Sequence, residues 1–315
     1  MPNKFFQPDT DLQTALNPVL DATWAEFPRL AQNQIAVTWI LYDPPYIVNT
    51  DGALSAEAFW QQRPRGVSYR GVEVIYPASV VKLFYLVAAH EWLERGMISA
   101  SPELDRALRD MIVDSSNDAT GYVMDVLTGT TSGPELPEGP FETWKQQRNL
   151  VNRYFQTLQW PELATVNLNQ KTWCDGPYGR ERAFLGDAYE HRNMLTTEAA
   201  ARILHSIIGG VSVTPQRSKA MMALMLRSLD PADLAADPEN QVTGFLGSGV
   251  PQDTRIWSKA GLTSKVRHDT AYVEANDCHP YLLVVFTEGP EHSQNEAILP
   301  FVSAQILDQV KTMTR

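Results

Sequence analysis

The chain is poor in most of the features that declare a function outright. Its 315 residues hold two cysteines, Cys174 and Cys278, with no C-x-x-C spacing. That excludes a disulfide-built scaffold and a thiolate metal site, and fits free thiols in a reducing compartment, with their pairing left open. The six histidines (His90, His191, His205, His268, His279, His292) show neither H-x-x-x-H nor H-E-x-x-H spacing, so no zinc and no cofactor are expected. Positive charge is scarce: 26 Lys and Arg stand against 37 Asp and Glu, a net charge of −11. With no basic stripe, nucleic acid and anionic membrane surfaces are excluded as partners. The acid excess reads as a solubility feature. No apolar run reaches the roughly 18 to 20 residues that span a bilayer. The start, MPNKFFQPDTDLQ, has no apolar signal core and no small-residue cleavage site. The expected location is therefore cytoplasmic, or periplasmic if the start is incomplete. There is no internal repeat.

What is present is a soluble globular composition, 43% apolar and 20% charged, in a chain long enough for one large domain or two ordinary ones. Residues 11–30 read as an opening helix interrupted by Pro18, and Gln34–Tyr42 as a strand followed by an Asp43-Pro44-Pro45 turn. A weaker strand pattern runs through Val67–Tyr76. The stretch SVVKLFYLVAAHEWL (79–93) is apolar on nearly every side, which marks a buried helix, closed by Arg95-Gly96. Ser101-Pro102 opens another helix, with Leu104, Ala107, Leu108, Met111 and Ile112 on one face. Further helices are expected at about 142–159, 196–208, 216–229 and 298–313. Strands are expected at 254–259, 270–275 and 281–287. Residues 160–192 form a segment too long for an ordinary connector. Strands at both ends with helices between them predict an α+β fold. Its antiparallel sheet is built from both chain ends with flanking helices, and carries an inserted all-helical lobe. The expected division is 1–78 with 212–315 for the sheet domain and 79–211 for the helical one.

Within the buried helix, Ser79 and Lys82 are three residues apart and share a face. A lysine seldom enters a core without a task, because desolvation disfavours its charged form and lowers its pKa. So tuned, it can take a proton from the serine and make it a nucleophile. The helix N-terminus adds a field favourable to the negative charge of acyl transfer. One S-x-x-K is expected about once by chance in a chain this long, so its partners decide its meaning. Ser115-Ser116-Asn117 follows the 102–113 helix, 36 residues beyond Ser79. A second serine near a lysine can relay a proton to a leaving nitrogen, and Asn117 can offer its amide to a substrate. The same run also reads as an N-cap for the next helix. Lys259-Ala260-Gly261 lies near the end of a strand and is the only K-x-G in the chain. Lys259 adds positive charge to a cleft, and Gly261 permits close backbone approach.

In this order, S-x-x-K, S-x-N and K-x-G resemble the serine penicillin-recognising enzymes, the class A β-lactamases and D-Ala-D-Ala peptidases. The resemblance covers roughly residues 30–315. It implies that Ser79 is acylated with Lys82 as its base, and that Ser115, helped by Lys259, passes a proton to the leaving group. It also implies that Asn117 holds the substrate amide, while the N–H groups of Ser79 and Leu262 form the oxyanion hole. Arg267, with Lys265 as second choice, would anchor a substrate carboxylate.

Three departures from the family pattern stand out. Ala260 replaces the usual Thr or Ser, removing a hydroxyl that meets the substrate carboxylate. The 36-residue gap is short, leaving the cleft more open. The deacylating glutamate has no clear counterpart: Glu181 is the candidate, with pairing to Arg180 or Arg182 as its alternative reading. Glu162, in Trp160-Pro161-Glu162-Leu163, reads as the end of a helix. The expectation is a serine acyl hydrolase, β-lactamase as first label, acting on a small-molecule or peptide acyl substrate. The alternatives are a cytoplasmic amidase, esterase or peptidase of the same superfamily, and a slowly deacylating penicillin-binding sensor.

Overall fold

The computed structural model describes residues 4–43, 54–173 and 176–314 and shows an α+β fold. Cys174 and the Pro44-Pro45 turn lie outside the described residues. Among the described residues, seven strands form one sheet in the order β1-β3-β2-β7-β6-β5-β4. They are β1 (Gln7–Pro8), β2 (Ile35–Leu41), β3 (Arg65–Tyr69), β4 (Leu226–Arg227), β5 (Arg255–Thr263), β6 (Val266–Glu274) and β7 (Tyr281–Glu288). Every pairing is antiparallel except the two-residue edge pairing of β1 with β3. The sheet thus joins both ends of the chain, as the strand pattern predicts.

Strand β2 is buried along its whole length, which an apolar run such as IAVTWIL requires when both faces are covered. Its side chains alternate. Ile35, Val37, Trp39 and Leu41 meet Leu12, Leu16 and Val19 of the Thr10–Glu26 helix and Val302, Ile306 and Val310 of the Ile298–Thr314 helix. Ala36 and Ile40 face the other core, with Leu83, Phe84 and Val87 of the Lys82–Glu94 helix and Ile203, Leu204 and Ile207 of the Thr197–Ile208 helix. All residues from Lys82 to Trp92 are buried. The Pro102–Ile112 helix is capped by Ser101, whose Oγ accepts from Leu104 N at 3.1 Å, and buries the five-residue face that the spacing predicts.

Several expected bounds move, each for a tertiary reason. Strand β3 stops at Tyr69, opposite Val37, where the left-handed Arg70 (φ 52°) follows and Ile35 and Ala36 of β2 pair only with β7. Strand β5 runs on to Thr263, so Lys259-Ala260-Gly261 sits inside the strand, paired with Thr270, Asp269 and His268. The helix expected over 216–229 spans Pro215–Met225, and Leu226–Arg227 leave it to pair with Trp257 and Ile256. The 142–159 helix is two, Glu138–Arg148 and Leu150–Thr157, broken at Asn149. Trp160–Leu163 is no helix end: Pro161–Leu163 form a separate 3₁₀ turn. The long 160–192 segment also contains a Gly179–Leu185 helix.

Candidate active site

Ser79 lies in a 3₁₀ turn, Ala78–Val81, that leads into the helix beginning at Lys82. Residues i and i+3 eclipse in such a turn, so Ser79 and Lys82 stay on one side, as their spacing requires. Ala78, immediately before the serine, has φ 47°, and Ser115 has φ 55°. Left-handed conformations cost a non-glycine residue energy and gather where a side chain must be aimed. Ala78 precedes the candidate nucleophile, and Ser115 is itself the candidate relay.

The turn is pressed against β5. A Cβ on Gly261 would stand 2.7 Å from Pro77 O and 3.2 Å from Ser79 N. The glycine therefore admits the serine turn itself, rather than the substrate backbone expected from sequence. Strand β4 pairs only with Ile256 and Trp257, so beyond them the outer edge of β5 meets side chains. Arg227 Nη2 donates to Ser258 O at 2.8 Å, and Ala260 N donates to Gln241 Oε1 at 3.2 Å. Backbone groups of alternate residues leave an antiparallel strand on the same edge, so the Leu262 N–H points the same way as that of Ala260. Leu262 and Ser79 line one cleft of about 350 Å³, together with Ser115, Asn117, Ala260 and Arg267.

Three of the expected residues meet at one hydroxyl. Lys82 Nζ, fully buried, donates to Ser115 O at 2.5 Å, to Ser115 Oγ at 3.2 Å and to Asn117 Oδ1 at 3.0 Å. Lys259 Nζ, also fully buried, donates to Ser115 Oγ at 3.0 Å, to Ala260 O at 2.8 Å and to Gln241 Oε1. Ser116 caps the Asn117–Thr128 helix through Ala119 N at 3.1 Å, so the cap reading of the 115–117 run holds, and the cap leaves Ser115 and Asn117 in contact with Lys82. Burial, and then the charges of Lys82 and Arg227, hold Lys259 well below the ordinary lysine value, with Asp269 opposing. Burial also pushes the Asp269 carboxyl up to about 6, although Leu246 and Thr270 donate their N–H groups to it. It pulls Arg227 down to about 10. A lysine held so far below its usual range can exchange a proton with the serine it touches.

Two expected residues sit differently. Arg267 is buried, with Nε donating to Ser293 O at 2.9 Å and Nη1 to Gly244 O at 3.2 Å. Its guanidinium stacks over Phe245, and Glu296 lies 3.6 Å away at the cleft rim. It lines the cleft, already engaged on several sides. Glu181 is buried, neither exposed nor paired with Arg180 or Arg182: it binds Arg148 at 2.5 Å and accepts from Ser132 Oγ at 2.8 Å. Arg148 and Lys171 both bind Asp125, and none of these residues lines the Ser79 cleft. The water-activating position expected of Glu181 thus becomes that of a counter-charge to a buried arginine. Glu162 likewise pairs with Arg202 and accepts from Phe5 N at 3.0 Å. Sequence reasoning missed Gln241, Arg227 and Asp269, which stand in no motif and reach Lys259 only through the fold.

The model of the Beta-lactamase enzyme family matches residues 99–310, two-thirds of the sequence. The chain belongs to this family. Solved structures agree on the fold. A β-lactamase from Sphaerobacter thermophilus DSM 20745 is 16% identical, with 93% of this chain and 97% of that one covered at a TM-score of 0.62. PBP-A, in a mutant holding a penicillin G acyl-enzyme, is 14% identical, with 99% and 100% covered at 0.64. A class A β-lactamase representative from Bacteroides cellulosilyticus DSM 14838 is 14% identical, with 95% and 99% covered at 0.62. No curated protein matches the sequence. The protein is therefore a β-lactamase-like hydrolase, and no helix among the described residues is long and apolar enough to cross a membrane.

Proposed function

We propose that this protein is a serine acyl hydrolase that opens a β-lactam or related amide through an acyl-enzyme on Ser79. Lys82 in its neutral amine form takes the proton of Ser79 Oγ as that oxygen attacks the acyl carbon. The tetrahedral oxyanion rests on the N–H groups of Ser79 and Leu262. As the C–N bond breaks, Ser115 protonates the leaving nitrogen and is recharged from Lys82 or Lys259. Asn117 holds the substrate amide, while Arg267 and Ala260 shape the wall beyond it. Water then cleaves the ester and restores Ser79. The observation that carries this reading is the convergence of two buried lysine side chains on the Ser115 hydroxyl, in the cleft that Ser79 lines.

The test pairs a chromogenic cephalosporin with a fluorescent penicillin, on wild type and Ser79→Ala. Rapid colour and transient labelling, both lost in Ser79→Ala, support a β-lactamase. A lasting label without colour would replace turnover by a stalled acyl-enzyme. Ester hydrolysis that depends on Ser79, with neither β-lactam signal, would move the substrate to another acyl group. Identical behaviour of wild type and Ser79→Ala in every assay would remove the assignment.

A further inference from the structure

Every hydrogen-bonding position of the Gln241 amide is filled. Nε2 donates to Ile112 O at 2.9 Å and to Val113 O at 2.8 Å, while Oε1 accepts from Lys259 Nζ and from Ala260 N. A primary amide has two donors and two acceptor sites. Turned over, this one would set its oxygen against two carbonyls and its NH₂ against two donors, so its orientation is fixed. Ile112 and Val113 end the helix that leads to Ser115, where carbonyls lack intrahelical partners. Lys259 and Ala260 belong to β5 on the opposite wall. Arg227 runs parallel to this bridge, donating to Ile112 O at 3.1 Å and to Ser258 O at 2.8 Å.

We propose that Gln241 is a positioning residue, which holds the Lys259 ammonium in line with the Ser115 hydroxyl while tying the end of the Pro102–Ile112 helix to β5. The proposal rests on the serine hydrolase reading above. An ammonium has three donors, and Lys259 spends them on Ser115 Oγ, Ala260 O and Gln241 Oε1. Without Gln241 one donor would face a dry interior, and the cheapest response is loss of the proton. Three other charged groups face Lys259: Lys82 from the nucleophile helix, Arg227 from β4 and Asp269 from β6. Gln241 is a neutral side-chain contact outside the serine relay, so changing it alters the Lys259 proton while those three charges stay in place.

The test follows Ser79 acylation by a fluorescent penicillin across the alkaline range in the full-length protein, for wild type, Gln241→Met and Gln241→Glu. Gln241→Met should move the alkaline limb down by about one pH unit, and Gln241→Glu should move it up by about as much. Thermal unfolding of each variant checks that it is folded. A role in packing alone would lower Tm and acylation amplitude but leave the limb in place, and unmoved limbs in both variants would overturn the proposal. If the wild type takes up no label at Ser79, the β-lactam part of that reading falls separately. The Lys259 ¹³Cε titration, assigned with Lys259→Arg, then decides: opposite shifts in the two variants sustain the contact, and coincident curves overturn it.

Discussion

Two buried polar clusters in this molecule use nearly the same side chains and arrive at opposite electrostatics. In the helical part, Arg148 and Lys171 meet Asp125 and Glu181, two cations against two carboxylates. At the cleft, Lys82, Arg227 and the buried Asp269 carboxylate all act on Lys259, and the exposed Asp114 acts on Arg227 besides, so cations outnumber buried carboxylates. Each cluster has a serine at its centre. Ser132 accepts from Lys171 at 2.9 Å and donates to Glu181 at 2.8 Å, so its proton is committed to a fixed anion. Ser115 accepts from both Lys82 and Lys259, so the proton it gives goes toward the cleft it lines. The balanced cluster holds structure together. The unbalanced one holds Lys259 well below the ordinary lysine value beside a hydroxyl that both lysines touch, an arrangement suited to general acid–base chemistry.

The comparison breaks most visibly at Lys82. In Lys82→Ala, Ser79 acylation should fall by about 10²–10⁴-fold, the range of a lost general base, measured by single-turnover labelling of folded protein. A fall under tenfold would mean that the cation excess serves no proton transfer. Arg148→Met is the counterpart. It leaves Glu181 buried without its arginine, which should cost about 3–5 kcal/mol of stability in urea denaturation. Ser79 acylation and deacylation in the folded fraction should stay within a few-fold of wild type. A selective loss of deacylation would instead return Glu181 to the chemistry.

Gly261→Ala sharpens the geometric half of the comparison. The added Cβ would lie 2.7 Å from Pro77 O, and either the serine turn or β5 must give way. Displacing a reacting group by about an ångström can cost 10²-fold in rate, so acylation should drop by about that factor while substrate affinity changes little. Unchanged acylation would show that the Ala78–Ser79 turn has slack, at odds with its left-handed Ala78.

What was legible from sequence was local. Ser79 and Lys82 are set by three residues of one turn, and Ser115 to Asn117 by a helix cap, so spacing alone placed them. The sheet built from both ends was legible because the runs 35–41 and 281–286 are apolar on both faces, Thr38 apart. Arg227 was not, since it leaves its helix only because β5 offers a partner to Leu226 and Arg227. Gln241 and Asp269 reach Lys259 through pairings that no spacing encodes. Glu181 was misplaced for the same reason: its partner, Arg148, lies 33 residues away on another helix.

The smallest predicted effect separates the clusters most cleanly, because it depends on the sign of a titration. Lys259 is held below its unfolded value of 10.5. Between its folded value and 10.5 the unfolded chain binds more protons at this group than the folded one, so stability rises with pH across that window. Lys259→Met removes the titration. The stability of wild type relative to Lys259→Met should therefore grow with pH, by up to about 1.4 kcal/mol per unit. Asp269, whose folded value of about 6 lies above 3.8, acts with the opposite sign, but only below neutrality. Urea denaturation in steps from neutral pH toward 10 thus reads Lys259 against the variant. A difference that stays flat across that range would mean Lys259 is as firmly a cation as a paired surface lysine, and the contrast between a balanced and an unbalanced cluster would lose its basis.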